Sequence, residues 1–103
     1  MEKGLEMHTW ATELFPINRS ITGEGVRQTL SYLQTLIPNL KIHSVTSGQP
    51  ALDWEVPKEW VIRDAYIKDS AGNKVIDFKT NNLHLVSYSI GIDTYLSKEE
   101  LLD

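Results

Sequence analysis

The sequence has 103 residues, 41% hydrophobic and 23% charged, which is enough for one small domain and too apolar for a disordered chain. Ten Lys and Arg against fourteen Asp and Glu give a net charge of -4, which argues against nucleic-acid binding. The absence of Cys excludes disulfides, thiolate zinc sites and Cys nucleophiles. No apolar run is long enough to span a membrane and residues 1–6 lack a signal-peptide layout, so we expect a cytoplasmic protein that binds no membrane.

Two helices are predicted in the first 38 residues. Apolar residues recur there at steps of three and four, which places them on one face of each helix. Pro16 and Pro38 end the two helices, because the residue before a proline is pushed out of the helical conformation. Thr22 is the predicted N-cap of the second helix, with its hydroxyl accepting from a free amide of the first turn. The apolar positions are Met7, Trp10, Ala11 and Leu14 in the first helix, and Val26, Leu30, Leu33 and Ile37 in the second.

The period changes after Pro38, and alternation predicts strands. One strand is expected over residues 40–45, where Leu40 and Ile42 alternate with polar neighbours. Strands over 60–68 and 74–78 form a hairpin around a glycine-containing turn. A third strand over 83–88 completes a meander, and its continuous apolar character indicates cover on both faces.

The pairing across that hairpin predicts a core face and an ion pair. The core face holds Ile62, Tyr66, Ile76 and Phe78, and Arg63 pairs with Asp77 on the other face. The fold class is therefore α+β, with two N-terminal helices followed by a strand and a small antiparallel sheet.

The last seven residues carry a helix start. Ser97 and Glu100 form a capping box, and Leu101 and Leu102 are the first apolar residues of the helix that it begins. Because so short a helix is marginal by itself, we expect a chain that ends at the start of a further helix and belongs to a longer protein. The alternative is a short terminal helical turn that docks on the sheet.

No spacing of residues indicates a catalytic or metal site, so none is predicted. The three histidines lie on a helix and two strands and form no His-x-x-x-His pattern. The carboxylates are scattered and are expected to pair with charges or cap turns. There is no Gly-x-Ser-x-Gly elbow and no phosphate loop. The residues considered were His8, His43, His84, Asp53, Glu55, Asp64 and Asp77.

The stretch from Arg19 to Gly25 is the one local motif that indicates a function. Arg19, Ser20 and Thr22 place a fixed positive charge and two hydroxyls before a helix N-terminus, which favours an anion such as a substrate carboxylate. These three residues are the predicted substrate contacts. The alternative is a capped turn between helices, with Arg19 bonded to nearby carbonyls.

Several aromatic side chains follow one another in the second half of the chain. They could form a β face that stacks on a sugar or a peptide, which would make the chain a free-standing binding module. The alternative is that they fill the core of a small sheet. The residues are Trp54, Trp60, Tyr66, Phe78 and Tyr88.

Four blocks in this order resemble the N-terminal portion of a prokaryotic aminopeptidase-like family that is catalogued as a domain of unknown function. Its members are similar to zinc exopeptidases of the aminopeptidase/carboxypeptidase fold, and several lie near polysaccharide-biosynthesis genes. The resemblance runs from about Leu5 to the end of the chain. The blocks are Leu14 to Gly23, Asp53 to Pro57, Trp60 to Ile67, and Asn81 to Val86 with Tyr88 and Ser89.

The resemblance implies that residues 1–50 are the helical part of a peptidase-like α/β domain and that residues 51–103 are a small β-rich insertion. The metal-binding blocks of the family lie further along its sequence, so zinc is expected only in the full-length protein. This segment would be inactive alone and would shape the substrate cleft or subunit contacts. Its expected partners are the remainder of the domain, a peptide or small-molecule substrate, and a further copy in a homo-oligomer.

Overall fold

The computed structural model describes residues 2–103 and contains helices and two small antiparallel sheets, which confirms the α+β class. Across these residues, no helix is both long and apolar enough to cross a membrane. In chain order the elements are α1 (Glu2–Leu14), α2 (Glu24–Leu36), β1 (Pro50–Ala51), β2 (Trp54–Glu55), β3 (Tyr66–Lys68), β4 (Lys74–Asp77), a 3-10 turn (Asn82–His84) and α3 (Lys98–Leu102).

Both long helices end two residues before a proline, as predicted. The predicted cap of α2 is wrong. Gly23 is the N-cap, with no side-chain hydrogen bond to the helix, and the Thr22 hydroxyl is buried without a hydrogen-bond partner. The turn before α2 is closed by another side chain, because the Ser20 hydroxyl donates to the Thr22 carbonyl.

The hairpin of β3 and β4 has a different register from the predicted one. Ile67 lies opposite Ile76, and Tyr66 lies opposite Asp77, so Tyr66 and Ile76 are on different faces. The shift occurs at an irregularity after Ile67, beside a turn in which the Asp69 carboxylate accepts from two backbone amides.

The charges on this hairpin also pair differently. The Arg63–Asp77 ion pair is wrong, since Asp77 lies 3.6 Å from the ammonium of Lys74. Asp64, the neighbour of Arg63, is 3.5 Å from the ammonium of Lys79 instead. Both lysines are exposed to solvent, although the Asp77 side chain is only 17% exposed, so these pairs contribute little to stability.

Two predicted strands do not form in the described part of the chain. Residues 40–45 run without a β partner, and residues 83–88 begin in the 3-10 turn instead of a third strand, so the meander is a two-stranded hairpin. The side-chain amide oxygen of Asn81 accepts from the Leu83 backbone amide, which caps the 3-10 turn. Apolar alternation needs a neighbouring strand before it becomes a sheet, and 40–45 has none here.

Residues 2–103 bury no apolar side chain of their own. The surface area is 9075 Å², whereas a compact protein of 11.7 kDa exposes about 5,900 Å². The radius of gyration is 18.0 Å, against about 13 Å for a compact domain of 100 residues. The apolar side chains of residues 2–103 therefore lie at the surface, and these residues form no buried core among themselves.

The capping box at the start of α3 is confirmed. The Ser97 hydroxyl accepts from the Glu100 amide at 3.2 Å, and the Glu100 carboxylate accepts from the Ser97 amide at 2.8 Å. These bonds lower the pKa of Glu100 below its ordinary value. Local chemistry alone thus suffices to start this helix.

Candidate functional site

The connection between α1 and α2 is the place where distant parts of the chain meet. The Asn82 carboxamide donates to the Phe15 carbonyl at 2.6 Å, and the Ser20 hydroxyl lies 3.0 Å from the Trp60 carbonyl, to which it can donate. Residues separated by 67 and 40 positions in the sequence are joined in this way. The predicted substrate contacts therefore lie at a junction of three segments.

Arg19 is anchored in this junction by neutral oxygens. Its Nη1 atom donates to the Leu14 carbonyl at 2.9 Å and to the Thr29 hydroxyl at 3.2 Å. Thr29 in turn donates to the Gly25 carbonyl at 2.8 Å. The guanidinium thus bonds a nearby carbonyl, as in the interhelix-turn alternative, and no carboxylate of residues 2–103 lies within ion-pair distance of it.

Two glycines at the start of α2 allow its backbone to lie close to other backbone segments of the chain. Gly23 has a φ of 140°, and a Cβ there would lie 3.0 Å from the Trp60 carbonyl oxygen. A Cβ on Gly25 would lie 1.9 Å from the carbonyl oxygen of Asn18. No side chain fits at either place, so glycine at both positions lets α2 press against the connection.

Arg27, one turn into α2, ties the helix to the segment before Trp60. Its guanidinium meets the Glu59 carboxylate through two bonds of 2.5 and 3.0 Å, and its Nε donates to Glu24 at 2.9 Å. These hydrogen bonds raise the pKa of Arg27 and lower that of Glu59. The negative charge of Glu24 is thereby neutralised beside the helix start.

A shallow groove of about 300 Å³ lies beside Arg19, between the α1–α2 connection and the 3-10 turn. One wall carries Phe15 and Ile17, and the other carries Leu83 and Leu85. We call this space the Arg19 groove. Of the predicted contacts, only Arg19 lines it, whereas Ser20 and Thr22 belong to the adjoining turn.

The aromatic residues do not share one β face. The Trp60 and Tyr88 rings pack together at 6.1 Å, outside any strand, and the Trp60 indole donates to the Ser89 carbonyl at 2.9 Å. Tyr66 lies on β3, where the ammonium of Lys74 is 4.4 Å from its ring. The aromatic platform expected from the sequence is therefore divided between separate places.

Within residues 2–103, no three His, Asp or Glu side chains come close enough to hold a metal ion. Zinc in a peptidase needs three such ligands and an open position. Residues 2–103 by themselves therefore do not fit a catalytic zinc centre.

Sequence reasoning missed the residues that bring the segments together. Asn82 and Glu59 look like ordinary loop polar residues, and Gly25 looks like a helix-weakening glycine. Only the position of Gly25 gave a signal, because glycine early in a helix costs stability and calls for a packing reason.

Comparison with known proteins agrees with the resemblance drawn from the four blocks. The chain is 53% identical over 100 residues to a Clostridium acetobutylicum protein named "Putative polysaccharide biosynthesis protein with aminopeptidase-like domain", covering 97% of this chain and 23% of that protein. A crystal structure of a "putative peptidase" from Clostridium acetobutylicum superposes with a TM-score of 0.93 and 52% identity, covering 98% of this chain and 24% of the other. The chain thus spans about a quarter of the length of these relatives.

A family model described as "Domain of unknown function (DUF4910)" matches residues 8–101, which is most of the chain. The order of the four sequence blocks, the fold and this match agree, and the chain belongs to the DUF4910 family.

Proposed function

We propose that this chain works as the N-terminal, non-catalytic segment of a zinc-dependent aminopeptidase-like protein of the cytoplasm and forms part of the wall of its substrate cleft. The observation that supports the proposal is that the described residues form no hydrophobic core of their own. Residues 2–103 bury no apolar side chain, although they resemble a quarter of a peptidase-like structure closely. A segment of that kind contributes its apolar faces to a larger shared core.

Residues 40–45 support the same proposal. Ile42 and Val45 are exposed in a segment with strand-like alternation and no strand partner. A sheet supplied by the remainder of a peptidase-like domain would pair the backbone of this segment, and the layers packed on the two faces of that sheet would cover both side chains.

The chemistry of hydrolysis would then belong to other residues of the longer protein. Zinc, when bound there, would activate water for attack on the peptide bond. This chain would contribute position and shape, with Arg19 proposed to face the substrate. Ser20 and Thr22 lie in the adjoining turn, and their contact with the substrate stays a prediction. A free-standing aromatic module is not proposed, because the rings that would form it are divided between separate places.

The test is a chimera in which this chain replaces the matched segment of the Clostridium acetobutylicum relative. We expect the chimera to be as soluble as the relative, to retain the same zinc content by mass spectrometry, and to hydrolyse the same unmodified dipeptides. Deletion of the matched segment should abolish solubility or turnover. A deletion variant with full stability and turnover would contradict the proposal, as would stoichiometric zinc on this chain alone.

Subunit contacts are the alternative use of the same surfaces. Light scattering of the chimera and of the relative separates the two uses. A cleft wall leaves the oligomeric state unaffected by substitutions in the Arg19 groove, whereas a subunit contact there would be broken by them.

A further inference from the structure

We propose that the Arg19 groove binds the C-terminal residue of a short peptide, with the carboxylate on Arg19 and an apolar side chain against the groove walls. The inference rests on the proposed function and adds to it the substrate class. It would make the protein selective for small peptides with a free carboxyl end.

The first argument is charge. Arg27 forms ion pairs with both nearby carboxylates, those of Glu24 and Glu59. Arg19 has no carboxylate within 4.0 Å among the residues that the structure describes, and its positive charge is left without an opposite partner. A ligand carboxylate would supply that partner through a charge-assisted hydrogen bond.

The second argument is orientation. Nη1 is fixed by Leu14 and Thr29, while Nε and Nη2 make no hydrogen bond within residues 2–103. A guanidinium held at one nitrogen keeps its remaining donors in a rigid fork, which matches the two oxygens of a carboxylate. Less conformational entropy is then lost on binding.

The third argument is the shape and lining of the groove. Within residues 2–103, Leu83 is 74% exposed and Phe15 is 55% exposed, so the walls offer apolar surface between the polar side chains of Asn18, Asn82 and Ser87. The inference requires that the remainder of the protein leaves this part of the surface open, unlike the faces assigned to the shared core. The bond from Asn82 to Phe15 holds the two walls together. A volume of about 300 Å³ lies at the lower limit of small-molecule pockets, which fits one residue of a peptide and is too small for a folded partner.

The experiment measures binding to the chimera by titration calorimetry, without turnover. The probes are N-acetyl-L-leucine, its neutral counterpart N-acetyl-L-leucinamide, and free L-leucine. We expect the acid to bind at least about tenfold more tightly than the amide, since one charge-assisted contact distinguishes them. Weaker binding of free leucine, which carries an ammonium beside its carboxylate, would identify the ligand as a peptide terminus, whereas equal or tighter binding would identify a free amino acid and contradict the peptide.

Variants locate the contact. Arg19→Gln should remove the difference between acid and amide, while Arg19→Lys should retain part of it. Leu83→Ser should weaken both probes by the same factor. Arg63→Gln is the matched control, because Arg63 lies outside the groove and its substitution should change nothing.

Equal affinity of the unmodified chimera for acid and amide would overturn the inference, and so would an acid preference that survives Arg19→Gln. Loss of chimera stability on Leu83→Ser, together with no acid binding by the unmodified protein, would show that the remainder of the protein covers the groove. Hydrolysis without acid preference would contradict only this inference. Acid preference in a chimera that hydrolyses no peptide would contradict the proposed function and leave the groove assignment standing.

Discussion

The α1–α2 connection and the stretch from residue 90 to 97 differ in how the chain holds them. The connection, residues 15–23, is tied by side-chain bonds to Trp60 and Asn82, which are far away in the sequence. The stretch 90–97 makes no such bond to another segment of the described chain, although Ile90, Ile92 and Tyr95 are apolar and exposed. The first region is specified by contacts within the chain, and the second exposes apolar side chains that no other described segment covers.

Gly25→Ala should break the connection and give the largest effect. We expect the free energy of unfolding of the chimera to fall by about 3 kcal/mol, because the new Cβ would lie 1.9 Å from the Asn18 carbonyl and neither backbone can move freely. Urea unfolding measures it. The matched control is Gly4→Ala in α1, where no atom lies within 4 Å, and a gain of about 0.5–1 kcal/mol is expected. Equal effects at the two glycines would contradict the close approach.

Ile92→Ser tests whether the second region is covered in the chimera. Ile92 is 72% exposed in this chain, so the loss of about 2 kcal/mol that we expect in the chimera requires burial against the remainder. Asp93→Ser is the control at the next position and should be close to neutral. An unchanged urea midpoint for Ile92→Ser would mean that residues 90–97 stay in solvent.

Two substitutions test how the hydroxyl groups of the α1–α2 connection affect its stability. Thr22→Val should raise the free energy of unfolding by about 1 kcal/mol, because it replaces an unbonded buried hydroxyl by a methyl group. Ser20→Ala should lower it by about 1 kcal/mol, because it removes a bond to Trp60.

Turnover of the same two variants decides whether the hydroxyls also contact substrate. A stabilised Thr22→Val chimera with unchanged kcat/KM would assign Thr22 a purely structural place. A fall in kcat/KM despite higher stability would support the predicted contact.

The smallest effect concerns pH and the Arg27–Glu59 pair. The pKa of Glu59 is lowered in the folded chain by its bonds to Arg27, so its contribution to stability is present above the ordinary glutamate pKa and is lost as the pH falls through the lowered value. Stability should therefore decline less steeply in acid for Glu59→Gln than for the unmodified chimera. Glu55→Gln, at an exposed carboxylate with no ion pair among the described residues, is the control. Parallel pH profiles for all three proteins would show that the pair contributes nothing measurable.

Local rules predicted the parts of this fold that depend on neighbours in the sequence. Two kinds of prediction are correct: the ends of the helices before Pro16 and Pro38, and the capping box at Ser97. Each depends on only a few adjacent residues. The predicted strand over 83–88 is wrong because continuous apolar character does not by itself require burial in a sheet, and the Asn81 side chain starts a 3-10 turn there. Of the candidate site, the position of Arg19 was predictable and its groove was not, because the opposite wall comes from residues 82–87.

By itself, the sequence determined the two long helices, the helix start at Ser97 and the family, since periodicity, proline sterics and the order of the four blocks are readable along the chain. Only the tertiary structure decided that Arg19 lines a groove without meeting a carboxylate of residues 2–103, while Arg27 is neutralised. The physical reason is that charge compensation depends on distance in space: Glu59 reaches Arg27 across 32 positions, and no carboxylate of residues 2–103 reaches Arg19.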